Sequence, residues 1–262
     1  MSATLRAEWT KLRTVRSTTL SLLLLGTVSV LFSALATSES ETMGGSPGHP
    51  GDNDVVLDTL AGVFFGQLGI IALAVLAITS EYSTGLIRTT LAANPHRRTV
   101  LAAKTTIVAV TALVAGLATS IACFYLGQRI LQSNGFTYEH GYPGLSLTDG
   151  LVFRAVFGTA VYLAAIAVLA LGIGTLLRHT AASITLVLAL VLGPVIAIGF
   201  LPEHLAERVE QASLMPAGLA IQQTVVRDDN IPLDPGMAFA VVGAYAAVAL
   251  ALAFWAISRR DA

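Results

Sequence analysis

The sequence predicts an all-α polytopic membrane protein with six transmembrane helices. Three observations carry that prediction. Of 262 residues, 55% are hydrophobic and only 12% are charged, about half the charged share of a soluble domain. The apolar residues gather into six runs, each near the roughly 20 residues that cross a bilayer. The basic residues are unevenly shared between the two sets of connecting loops. Eleven of the fifteen fall on the side that carries both termini, and only Arg129, Arg154, Arg208 and Arg227 fall opposite. The positive-inside rule makes the basic side cytoplasmic. The expected location is therefore the plasma (inner) membrane, multi-pass, with both termini inside.

Residues 1–17 read as a basic amphipathic helix lying in the headgroup region or, equally well, as a plain positively charged flank of the first span. Leu5, Trp9, Leu12 and Arg16 share one face and Arg6, Thr10, Arg13 and Ser17 another. The first span covers about 18–37. Ala34-Leu35-Ala36 has the small-residue form of a leader cleavage site. The apolar run is longer than a leader core, which favours a span. A glycine- and proline-rich loop follows at 38–54, with only acidic charges.

The second span is placed at 55–79. Gly62, Gly66 and Gly69 recur at helical spacing, which lets another helix approach closely. Gln67 is its one strongly polar residue at mid-depth. Between the second and third spans lies the basic segment 81–104, with Glu81, Arg88, Arg97, Arg98 and Lys104. Residues 82–92 can form two to three helical turns, and Asn94-Pro95 ends them. Arg97, Arg98 and Lys104 each read equally well as interfacial anchors.

The third span is placed at 105–126 and a loop at 128–150. The fourth, at 151–177, contains Tyr162. Gly62, Gly66, Gln67 and Tyr162 are the candidates for helix packing or a translocation path. Arg178-His179 forms a very short turn. The fifth span, at 181–201, holds Gly193-Pro194, a kink signal. In the connection 202–236, residues 203–212 read as a short helix and 214–221 as a segment apolar enough to dip into the interface. The sixth span covers 237–257. The whole chain is one transmembrane domain.

Several chemistries have no residues here. The two lysines, Lys11 and Lys104, do not follow glycine, so no phosphate-binding Gly-Lys loop exists. The histidines at 49, 96, 140, 179 and 204 are scattered, and no metal pair stands at helical spacing. No serine sits in a nucleophile elbow. The single cysteine, Cys123, permits no internal disulfide. An enzyme is not expected, nor a bound metal, nor a nucleic-acid partner. The spans place no ionisable residue near the bilayer centre, where an ion-coupled transporter needs one. Energy for uphill movement would then come from a partner.

The opening 5–17, the set Glu81, Tyr82, Gly85, Arg88, Leu91, Pro95, Arg97 and Lys104, the Arg178-His179 turn, and the long 202–236 connection together resemble a known family. It is the membrane subunit of ATP-binding-cassette exporters of the second class, with actinobacterial phrasing in the opening. The resemblance spans essentially the whole chain. It implies a connecting helix carrying Glu8, Trp9, Lys11 and Arg13. It also implies a coupling helix at 82–92 that seats in a separate ATPase, with Glu81, Tyr82, Gly85, Arg88, Leu91 and Arg97 transmitting force. Short re-entrant helices would lie between spans five and six. Two ATPase subunits, which hold ATP and Mg, would join two membrane subunits, the second a copy or a paralogue. No cofactor is implied on this chain. Glu81 would pair with Arg88 or with a base of the connecting helix, and Gly85 would admit another backbone. The cargo implied is hydrophobic or amphipathic: a drug, antibiotic, peptide or lipid. A six-span channel and a structural or signalling subunit are the competing readings. The first would need a polar pore lining that the spans barely supply.

Overall fold

The computed structural model describes residues 2–39, 54–86, 89–90, 96–136, 144–225 and 233–259. Among them, six helices are long and apolar enough to cross a membrane, which makes the chain a multi-pass membrane protein by length and composition.

Helix α1 (Ser2–Thr14) leads into α2 (Arg16–Glu39) through an elbow at Val15. The elbow is tight: Thr18 N donates to Val15 O at 3.1 Å. The second span is broken into α3 (Val55–Leu60) and α4 (Val63–Ser83), whereas a continuous helix was expected. The cause is local. Phe64 N bonds Ala61 O and Phe65 N bonds Gly62 O, a tightened three-residue pattern. Gly62 N turns out of the helix and donates to Ser33 Oγ on α2 at 3.1 Å.

The third span, α5 (Arg97–Ser133), begins before and ends after the expected 105–126, so the start of the expected 128–150 loop is helical. No proline or glycine cluster interrupts it before Asn134. Then come α6 (Gly150–Leu177), α7 (Thr180–Ile198), α8 (Glu203–Gln211), α9 (Leu214–Gln222) and α10 (Pro235–Arg259). The α6–α7 turn is as short as expected. Arg178 closes α6 in the left-handed region at φ 55°, its N–H on Gly174 O at 2.9 Å. His179 Nδ1 then accepts the Ala182 N–H at the start of α7. Pro194 lies inside α7, one turn from its end.

The core forms around α4 and α6. About 67% of the most apolar window is buried in the second span and in α6, against 17% in α7. Segment 214–221, expected as a short re-entrant or interfacial piece, forms α9 and is buried against the bundle, with Leu214, Ala217, Gly218 and Ile221 covered. Gly218 makes this possible, because a methyl there would stand 2.9 Å from Tyr162 and 3.0 Å from Phe64. The α8 helix has no buried residue.

The α2–α4 seam is the tightest helix contact. A Cβ on Gly62 would meet Ser29 O at 2.0 Å, one on Gly66 Ser29 Oγ at 1.9 Å, and one on Gly69 Ser21 O at 2.4 Å. The opposing face of α2 is a stripe of small or buried residues, Ser21, Leu25, Ser29 and Ser33. Small residues on both helices let the backbones touch. The glycine spacing thus marks a packing seam within the chain.

Candidate functional site

The end of α4 and the start of α5 meet α1. Four charged residues far apart in sequence meet there: Glu8 and Lys11 of α1, Glu81 in the last turn of α4, and Lys104 about two turns into α5. Glu8, Glu81 and Lys104 are 4–5% exposed. Glu8 and Lys11 lie one helical turn apart on α1 and so share a face. Lys104 follows Arg97 by two turns on α5.

The donors can be followed one by one. Lys11 Nζ donates to Glu8 Oε1 at 2.9 Å, to Glu81 Oε1 at 2.9 Å and to Thr90 Oγ1 at 3.2 Å. Lys104 Nζ donates to Glu8 Oε2 at 2.5 Å, to Glu81 Oε1 at 2.9 Å and to the carbonyl of Ala77 at 3.1 Å. An ammonium has three protons, so both lysines are fully committed. Two positive and two negative charges make the cluster neutral. Neutrality and hydrogen bonding offset the desolvation that would otherwise expel these groups. Burial opposes the Glu8 charge, but Lys104 and then Lys11 outweigh it and hold the carboxyl below its ordinary range. Burial likewise opposes the Lys11 charge, and its bonds to Glu8 and Glu81 outweigh that and hold its ammonium above the ordinary lysine range.

Lys104 is therefore a buried ion-pair partner and not an interfacial anchor. The expected basic partner of Glu81 on the opening helix is Lys11, joined by Lys104. The inward face of α1 is set by Glu8 and Leu12, both buried, whereas Trp9 of the expected apolar face stays 48% exposed. The ion pairs of Glu8 decide the rotation of the helix. Arg13 is exposed.

Thr84 N bonds Ser80 O to close α4, and Gly85 follows at φ +72°. No described atom lies within 4 Å of a methyl built on Gly85. Its role is therefore conformational: its left-handed backbone ends the helical path of α4, and no close approach of another backbone is seen among the described residues. The Tyr82 ring lies under the Arg178 guanidinium, 4.9 Å from its centroid, which ties the end of α4 to the α6–α7 turn. Thr180 Oγ1 adds a 2.8 Å bond to Thr79 Oγ1. Arg97 is half-buried at the start of α5. Arg88 and Leu91 lie outside the described residues, as do 87 and 92 of the expected 82–92 helix, and of its described part Tyr82 and Ser83 belong to the end of α4.

Gln67 and Tyr162 are brought together, as a closed pair. Tyr162 OH donates to Gln67 Oε1 at 2.8 Å, and Gln67 Nε2 donates to Phe64 O at 2.7 Å. Both side chains are 1% exposed.

The opposite end of the bundle holds a fastening that the sequence did not announce. Asp54 caps α3 by accepting Leu57 N at 3.1 Å. It also accepts Thr224 Oγ1 at 2.8 Å, Val225 N at 3.0 Å, and the Thr224 N–H. Arg154 Nη2 donates to Gln223 O beside it. These bonds fasten the end of α9 to the start of the second span. The one signal in the sequence was an acidic residue just before an apolar run, a helix-cap pattern.

Compared with protein-family models and with curated proteins, the chain matches none.

Proposed function

We propose that the chain is the membrane-spanning subunit of an ATP-binding-cassette exporter, with its α1 end in the cytoplasm. On this reading a separate ATPase binds beneath α1 and the segment after α4. Its closure tilts the helices and moves a hydrophobic or amphipathic cargo outward. ATP and Mg belong to that partner, and a second membrane subunit completes the unit.

The observation that carries the reading is the buried Glu8–Lys11–Glu81–Lys104 cluster. It locks α1, the end of α4 and the start of α5 into one body at the basic end of the bundle. A push on the 81–104 segment is then transmitted to three helices together, as a coupling surface requires. Tyr82 on Arg178 and Thr79 on Thr180 extend that body to the start of α7. A channel reading gains nothing from the mid-span polar pair, because Gln67 and Tyr162 satisfy each other in a sealed position.

The test is purification of the tagged chain from its native membrane. Recovery of a soluble ATPase in stoichiometric amount is expected, with its hydrolysis coupled to efflux. A Gly85→Val substitution, strained at φ +72°, should lower efflux more than ATPase binding. Labelling of residues 84–86 from outside the cell, or transport by the purified chain alone on a proton gradient, overturns the proposal.

A further inference from the structure

A cavity of about 110 Å³ opens beside the charge cluster. Its polar wall includes Glu81, Lys104 and Lys11, and its apolar wall includes Leu73, Leu76 and Ile107. Two lysines at such a place would ordinarily be read as a phosphate or carboxylate site. The hydrogen bonds exclude that here. All three protons of each ammonium are used inside the cluster, so an incoming anion finds no free donor. What the cluster lacks is the opposite. Glu81 is 5% exposed, and its Oε2 is buried with no hydrogen-bond partner. Such an oxygen is costly unless something donates to it.

The missing group is therefore a donor. It is also neutral, since the cluster already balances two positive charges against two negative ones, and an added cation would leave net charge buried. The apolar wall asks for a hydrocarbon body. A cavity of this size takes about four to five heavy atoms, by comparison with the larger engineered cavity that holds benzene.

We propose that this cavity binds the hydroxyl end of a neutral amphiphile, its O–H donating to Glu81 Oε2 and its chain lying along Leu73, Leu76 and Ile107. The site lies within one subunit and needs no ATPase, so its failure leaves the exporter reading standing, and the reverse holds too.

The experiment is photolabelling of the full chain in lipid nanodiscs with octanol carrying a diazirine on its third carbon. Mass-spectrometric mapping follows, with the methyl ether of the same probe run in parallel. Label should concentrate on residues 12–18, 73–81 and 104–108 and be competed by unlabelled octanol. The ether, which cannot donate, should label about tenfold less, as expected for loss of a hydrogen bond to a charged group. In Glu81→Gln an amide N–H replaces the vacant acceptor, and the alcohol-to-ether ratio should fall to near one. Leu76→Trp fills the cavity without touching the ion pairs and should remove the label. If Glu81→Gln does not fold, the alcohol–ether comparison on the native chain and Leu76→Trp still decide. Label spread evenly over the lipid-facing helices, equal labelling by the ether, or no effect of Leu76→Trp would show that the cavity holds water only and would overturn the proposal.

Discussion

The two ends of the second span are held by opposite means. At its start, Gly62, Gly66 and Gly69 lie against the backbone of α2 without a charge between them. At its finish, Glu81 sits in a buried cluster of four charges. The first contact depends on shape and the second on charge balance. A seam made by bare backbones tolerates any pH but no added volume. A neutral ion cluster tolerates small shifts in packing but not the loss of one member.

The largest effect should come from breaking the balance. Lys104→Met keeps the length of the side chain yet leaves Glu8 and Glu81 with Lys11 alone. Removing one partner of a buried ion pair costs about 3–5 kcal/mol. Thermal melting of the purified protein in detergent should show this as a marked drop in Tm. A Tm close to that of the native chain would mean that the cluster is exposed to water in solution.

Next is the seam. In Gly66→Val the new side chain starts 1.9 Å from Ser29 Oγ and 2.7 Å from Leu25 O. Overpacking of this kind costs about 1–3 kcal/mol, and more where backbone blocks relief. The loss of Tm in this variant, relative to the native chain, should be the same at every pH between about 5 and 8, where the cluster keeps its charges. A pH-dependent difference would show that the seam and the cluster are not independent.

A smaller, graded effect follows from pH. The Glu8 carboxyl is held below its ordinary value of 4.5, so its contribution is complete above that value and is lost as pH falls through the lowered one. Lys11 is held above its ordinary value of 10.5, so its contribution is complete below that value and is lost as pH rises beyond it. Melting should therefore be flat between those limits and fall on the acid side below about 4.5. Glu8→Gln should flatten the acid limb. An acid limb that is unchanged in Glu8→Gln would assign it to other carboxylates.

The smallest effect serves as the control for the seam. Gly26 on α2 has open space around it, with no described atom within 4 Å of where a methyl would stand. Gly26→Ala should leave the melting temperature unchanged or raise it slightly, since alanine favours a helix over glycine by up to about 1 kcal/mol. A large loss there would mean that α2 is covered by another chain.

The six spans were legible because a bilayer imposes length and apolarity on each run separately. The Arg178-His179 turn was legible for the same local reason. The cluster was legible only in part: the resemblance implied a base of the opening helix for Glu81, which is Lys11, but Lys104 bonds Glu8 across 96 residues and nothing in either neighbourhood announces the other. Read locally, Lys104 is one more base flanking a span. The break at Gly62 was hidden because its cause, the Ser33 hydroxyl, lies on another helix. The burial of α9 was hidden because an apolar nine-residue helix suits an interface and a core equally well. Composition set the membrane environment; partnership between distant side chains had to be seen in three dimensions.

The neutrality of the charge cluster has an electrical consequence. A unit charge carried across a membrane potential gains or loses about 2.3 kcal/mol per 100 mV. Glu8, Lys11, Glu81 and Lys104 form a bonded set with no net charge, so on the exporter reading their displacement together transfers no net charge across the bilayer. The membrane voltage then does no net-charge work on these four groups.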